Sequence, residues 1–261
     1  MVNATKKILI AQKQIDIVHT PYLSLADRHG LKVDFLPFTS KAAVPNSEFR
    51  KFANHFESSR LALVFINKQQ INYFFQFVEE IKAIQLPEHI HYFCATVQLK
   101  NYLQKYRKSN MSMNKRQIIA GTKSIKNLFP AIKKKYKNLH FVFPCSTRRP
   151  PSYDVYSSFF KDNGLKYKEV PTYDTQLNDI STLTHTDYHI ILFFSPLEVK
   201  AMIKHFPKFQ PNHTKVAVLG KETAKMADNA GWNVLIQAPS PTVPSLVDAL
   251  DHYFKDKNAS R

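Results

Sequence analysis

Short apolar runs alternate along the whole chain with stretches in which apolar residues recur every three or four positions. The runs are bounded by polar residues and too short for helices, so they predict buried strands. They fall at Lys6 to Ala11 (KKILIA), Leu61 to Ile66 (LALVFI), His91 to Cys94, Gln117 to Ala120 and Leu139 to Phe143. They continue at Tyr188 to Phe194 (YHIILFF), Lys215 to Leu219 (KVAVL) and Asn233 to Ile236, and Val33 and Phe35 alternate as a further strand. The helical pattern begins at Pro21 to His29, where Pro21 suits a first turn and Gly30 a stop. It returns through Ile71, Phe74, Phe75 and Val78, through Leu99, Tyr102 and Leu103, through Ile125, Leu128 and Ile132, and over Tyr153 to Phe160. Ser195-Pro196-Leu197-Glu198 predicts another helix, with Ser at the N-cap, Pro at N1 and Glu at N3 as a complete capping box. Gly220-Lys221-Glu222-Thr223 turns into a helix that Gly231 ends, and Thr242, Val243 and Pro244 open the last one. Strands alternating with helices predict an α/β fold of parallel sheets covered on both faces.

The chain also repeats itself. "GLKVDFLPF" (Gly30 to Phe38) returns as "GLKYKEVPTY" (Gly164 to Tyr173), with Pro37 and Pro171 at the same offset. "LVFINKQQI" (Leu63 to Ile71) returns as "ILFFSPLEV" (Ile191 to Val199): an apolar strand, a polar Asn67 or Ser195, then a helix. The spacing of the two copies is about one small domain, so duplication of an α/β unit is expected.

Composition narrows the function more than the fold. The 261 residues can bury one large core or two small ones, and 44% hydrophobic with 22% charged residues is ordinary for a globular protein. No apolar run approaches the roughly 20 residues that cross a bilayer, and the N-terminal apolar run is too short for a secretory signal. Cys94 and Cys145 have no redox or metal spacing, which points to reduced thiols in the cytoplasm. The 11 histidines form no helical metal-ligand pair, so no metal site is expected. The formal charge of +17 is the unusual number, and it attracts polyanions: nucleic acid, acidic lipid, or a small substrate rich in carboxylate or phosphate. Lys133-Lys134-Lys135-Tyr136-Lys137 reads first as a solvated helix end. With no zinc finger, RNP signature or helix-turn-helix, nucleic acid is not the expected partner.

"FFSP…VAVLGKETAKMADNAGWNV…APSPTVPSLVDAL" resembles the C-terminal part of uroporphyrinogen-III synthases. "ILIAQ", "PYLSLADRHGLKVDFLPF", "VFINKQQINYFF" and "VPTYDT" match that family's other segments in order, so the resemblance covers almost the whole chain. "KVDFLPF" and "YFCAT" are most similar to its Bacteroidetes branch. The resemblance implies two similar α/β lobes, each a parallel β-sheet flanked by helices, joined by two connecting strands. The first lobe would be 1–36 with 174–261, the connectors 37–40 and 170–173, and the inserted second lobe 41–169. It further implies a cytoplasmic monomer that needs no cofactor and acts on hydroxymethylbilane, a linear tetrapyrrole with eight carboxylates. Loss of the substrate's terminal hydroxyl, spiro attack and reclosure with ring D inverted would give uroporphyrinogen III. A non-catalytic two-lobed protein that binds a tetrapyrrole or another polyanion is the alternative.

Carried over residue by residue, Tyr173 is the family's tyrosine proposed to assist hydroxyl departure, or else a packing aromatic. The resemblance implies substrate binding by Lys68, Thr96, Gly121, Thr122, Ser195, Pro196, Gly220, Lys221 and Thr223. Each also has a plainer reading: Ser195 as a cap, Gly220 and Thr223 in strand–helix packing, Lys68 as a surface lysine. Arg148 and Arg149 are either carboxylate grips or solvated arginines. Asn67 stands where a small hydroxyl residue is usual, Ala95 where glycine is usual, and Lys221-Glu222 where smaller residues are usual.

Overall fold

A computed structural model describes residues 6–14, 20–56, 60–80, 86–87, 90–107, 117–148, 153–241 and 243–259. The chain opens with β1 (Lys7–Ile10), α1 (Pro21–His29) and β2 (Lys32–Phe35), then runs through β3 (Thr39–Ala43). There follow α2 (Asn46–Arg50), β4 (Leu61–Phe65), α3 (Lys68–Glu80), β5 (His91–Cys94), α4 (Val97–Arg107) and β6 (Ile118–Ala120). Next come α5 (Phe129–Lys135), β7 (His140–Ser146), α6 (Asp154–Asp162) and the long β8 (Tyr167–Leu177). The chain closes with β9 (Ile190–Phe193), α7 (Pro196–His205), β10 (Lys215–Leu219), α8 (Lys221–Asn229), β11 (Val234–Ala238) and α9 (Leu246–Ala259). Two compact units result: Met1–Ser40 with Gln176–Arg261, and Lys41–Thr175.

The first unit carries a five-stranded sheet in the order β11-β10-β9-β1-β2, every registered pair parallel. Period-two alternation sorts its apolar residues onto two faces. Leu9, Ile191, Phe193, Val216 and Val218 pack with Val199 and Met202 of α7 and with Ala224 and Ala227 of α8. Ile8, Ile10, Ile190, Leu192 and Ala217 pack with Leu25 of α1 and with Leu246, Leu250 and Phe254 of α9. A strand such as IILF is therefore apolar throughout because both of its faces are covered.

The second unit carries a six-stranded sheet, β3-β8-β7-β4-β5-β6, in which β8-β7-β4-β5-β6 pair in parallel. Its core is aromatic: Phe49 stacks on Phe77 at 4.3 Å and on Phe56 at 5.3 Å, with Phe74 edge-on to both Phe49 and Phe56.

The repeated Gly-Leu-Lys phrase is one device used twice. Gly30 and Gly164 both take φ 61°, a left-handed conformation that costs glycine little. The following Leu31 and Leu165 return their N–H groups to Ala26 and Phe160, each at 2.9 Å, closing a Schellman turn before the next strand.

The structure corrects three local expectations. The helix read over Ile125 to Ile132 is a 3-10 turn at Ile125–Leu128 followed by α5, because Pro130 has no N–H with which to continue the first segment. The last helix starts at Leu246: Ser240 and Val243 close a turn on each other, and Ser245 caps Asp248 N–H at 3.2 Å. Thr242 lies outside the described residues. The capping box at Ser195 forms only in part. Ser195 is the N-cap but its side chain makes no cap hydrogen bond, and Glu198 instead accepts from Phe194 N–H at 2.5 Å. The Lys133–Lys135 run is exposed at the C-terminal turn of α5, where cations complement the helix dipole. Among the described residues no helix is long and apolar enough to cross a membrane.

Candidate functional site

In a parallel sheet all strands end along one edge, and the turns leaving that edge are where ligands are met. In the second unit Phe65, Cys94 and Ala120 are level across β4, β5 and β6. The ladder runs one bond further, from Ala95 N–H to Phe65 O and from Gly121 N–H to Cys94 O, both 2.9 Å. Asn67, Thr96 and Thr122 therefore leave the sheet side by side.

Two of these three cap helices. Asn67 Oδ1 accepts Gln70 N–H at 3.0 Å, while Gln70 Oε1 accepts Ile66 N–H at 2.6 Å. Gln70 is fully buried and its Nε2 has no partner. Thr96 Oγ1 accepts Leu99 N–H at 3.2 Å. Lys68 is exposed in the first turn of α3 and lies over the Tyr102 ring at 5.0 Å. The Gly121-Thr122 turn is tied internally: Asn127 Oδ1 accepts from Thr122 Oγ1, Lys123 N–H and Ser124 N–H. These donors are committed to Asn127, although the Thr122 and Lys123 side chains are exposed.

Gly121 has no room for a side chain. A Cβ there would stand 2.3 Å from Ser124 O and 2.8 Å from Ala95 O, both backbone atoms. Gly121→Ala is expected to destabilise the second unit by about 2–3 kcal/mol, the cost of overpacking against backbone. A wild-type denaturant midpoint in that variant would show that the turn can move aside.

Tyr173 sits in the second half of β8, at the last registered pair with β7, opposite Ser146. It is only 3% exposed, and its ring stacks on Tyr73 of α3 with centroids 5.2 Å apart. Burial pushes the phenol's pKa up, while hydrogen-bonding contacts from the Asn67 and Tyr153 side chains pull it down. The Asn67 and Tyr153 side chains therefore lie within hydrogen-bonding reach of the Tyr173 hydroxyl. Nearby, Arg148 Nε is paired with Asp174 at 3.1 Å, while Arg149 lies outside the described residues.

In the first unit Ser195 leaves β9 and Gly220 leaves the neighbouring β10 along one edge. Pro196 occupies the first turn of α7. Glu198 is 3% exposed, and burial pushes its carboxyl up to about 7 against hydrogen bonds from Phe194 N–H, Gln12 and Ser195. Glu198 does in this unit what Gln70 does in the other: from the third helical position it reaches back to the N–H preceding the N-cap. α8 begins differently. Gly220 at φ 84° offers no capping side chain, so the first N–H groups of Lys221, Glu222 and Thr223 point off the sheet edge without a side-chain cap. Lys221 is exposed and Thr223 buried. Such a start favours an anion, although the exposed Glu222 opposes one.

Asn67 stood out in the sequence only as a departure from a pattern, while Gln70 and Tyr153 did not stand out at all. Gln70 had a readable signal, because Asn67-x-x-Gln70 is a capping box. Tyr153 had none, since its contact with Tyr173 depends on how α6 packs on the sheet.

A family model described as "Uroporphyrinogen-III synthase HemD" matches residues 21–248. No curated protein matches the sequence significantly. Among solved structures, uroporphyrinogen-III synthetase from Helicobacter pylori superposes with a TM-score of 0.55 at 15% identity, covering 96% of this chain and 99% of that one. A mutant uroporphyrinogen III synthase from Thermus thermophilus gives a TM-score of 0.48 at 14% identity, over 98% and 100% of the two chains.

Proposed function

The chain belongs to the uroporphyrinogen-III synthase family of tetrapyrrole biosynthesis, and on that premise we propose that it cyclises hydroxymethylbilane with inversion of ring D. The substrate needs little activation, since it can close unaided to the uninverted isomer. Catalysis is then mainly conformational control, with help for the departing hydroxyl. Tyr173 gives its hydrogen to that hydroxyl, which leaves as water. The phenolate oxygen left behind is one to which the Asn67 and Tyr153 side chains, both within reach, can donate. That phenol, buried and stacked on Tyr73 with the Asn67 and Tyr153 side chains in reach of its hydroxyl, is the observation that carries the reading. Carboxylates of the substrate are held by Ser195, Pro196, Gly220, Lys221 and Thr223 of the first unit and by Lys68, Thr96, Gly121 and Thr122 of the second. The uncapped start of α8 and the exposed Lys68 support this most directly.

On this reading the two units are the family's two lobes, with connectors at 37–40 and 170–173 running up to the unit boundaries after Ser40 and Thr175. The protein acts as a monomer in the cytoplasm; two buried cysteines, Cys94 and Cys145, neither in a disulfide, favour a reducing compartment. The deciding experiment supplies hydroxymethylbilane and resolves the product isomers after oxidation. Excess type III over the spontaneous type I is expected, and type I alone would overturn the proposal.

A further inference from the structure

Lys41 was not among the residues that the sequence singled out. It lies on β3, the neighbour of β8, and Val44 N–H to Thr172 O at 3.2 Å fixes the register there. Its ammonium stands 5.1 Å from the centroid of the Tyr173 ring. Its carbonyl accepts the Tyr73 hydroxyl at 2.8 Å, and the Tyr73 ring is the one that stacks on Tyr173. Three separate segments, β3, α3 and β8, thus bring the exposed Lys41 beside one phenol.

Arg148, close by in sequence to the strand partner of Tyr173, has its anion in Asp174. Lys41 has none: among the described residues no carboxylate pairs with it, and desolvation lowers its pKa with no charged neighbour acting against that. A ring face compensates a partly desolvated ammonium only weakly. An ammonium with no counter-ion among the described residues, beside a buried phenol, is half of an ion pair. We propose that Lys41 is a specificity-determining anchor that binds one substrate carboxylate next to Tyr173. The inference rests on the functional reading given above. The acceptor is a flexible side-chain carboxylate, which a lysine on a mobile stem can follow as the ring turns over.

The test compares Lys41→Met, which keeps the stem and removes the charge, with Lys41→Arg. For Lys41→Met the KM for hydroxymethylbilane is expected to rise about tenfold, the loss of one charge-assisted contact, with kcat within about twofold. Lys41→Arg should restore KM to within about threefold. In parallel, fluorescence titration with uroporphyrin III, an octacarboxylic porphyrin, reads affinity without turnover and should weaken by a similar factor in Lys41→Met alone. Unchanged KM and unchanged porphyrin affinity in Lys41→Met, or an arginine variant as defective as the methionine one, would overturn the anchor. A wild-type enzyme that makes only the type I isomer would instead overturn the functional reading, and the porphyrin titration would still decide the fate of Lys41.

Discussion

Tyr173→Phe is expected to lower kcat for type III formation by about a hundredfold or more, the usual worth of a positioned proton donor. The ring remains, and so do its stacking on Tyr73 and its burial within β8. What disappears is the hydrogen that the leaving hydroxyl needs and the oxygen that Asn67 and Tyr153 address. Leaving those two side chains without that oxygen should cost roughly 1 kcal/mol of stability, too little to unfold the unit. The phenol is raised above its ordinary range, so it is protonated throughout neutral pH and the defect should not be rescued by changing pH between about 6 and 8. Because the substrate closes without help, slower catalysis should also appear as a larger share of type I product. The measurement is the initial rate with isomers resolved, alongside circular dichroism and a melting curve. An unchanged rate would assign Tyr173 to packing.

The sequence disclosed what is local and hid what is assembled. Gly30 and Gly164 announce helix ends because a left-handed stop followed by an apolar residue is written in consecutive positions. The strands were readable because both faces of each sheet are covered, which makes IILF or LALVF apolar without interruption. Where the reading failed, one residue overrode a pattern: Pro130 divided a helix that apolar spacing had made continuous, and the turn closed by Ser240 and Val243 delayed α9. Of the candidate site, the sequence marked only strand ends that carry a motif, such as Ser195 and Gly220. Lys41, Tyr73 and Tyr153 carry no motif. Their meaning comes from β3 lying beside β8 and from helices α3 and α6 turning particular faces to Tyr173, and spacing along the chain records none of that.

The paired helix starts show the same limit from another side. The echo between "INKQQI" and "FSPLEV" aligns Asn67 with Ser195, and Gln70 with Glu198. Structure gives the alignment a physical basis, since each residue at the third helical position bonds the N–H before its cap. One copy uses a neutral amide and the other an acid whose carboxyl is pushed by burial to about 7. Glu198 therefore holds its proton in the folded protein over a range where the unfolded chain has lost it, from about 4.5 to about 7. Stability from this group is complete below that window and declines as pH rises through it, by about 3 kcal/mol in all if the whole shift is expressed. Gln70 shows that an uncharged side chain can do the same structural work. Glu198→Gln is accordingly expected to match the wild type to within about 1 kcal/mol at about pH 5 and to exceed it by about 2–3 kcal/mol at about pH 8. Urea unfolding of both proteins at the two pH values isolates the group, because all other titrations cancel in the difference. A difference that stays constant between those two pH values would mean that Glu198 ionises in the folded protein as it does in the unfolded chain, and that its hydrogen bonds from Phe194 and Ser195 fully offset its burial.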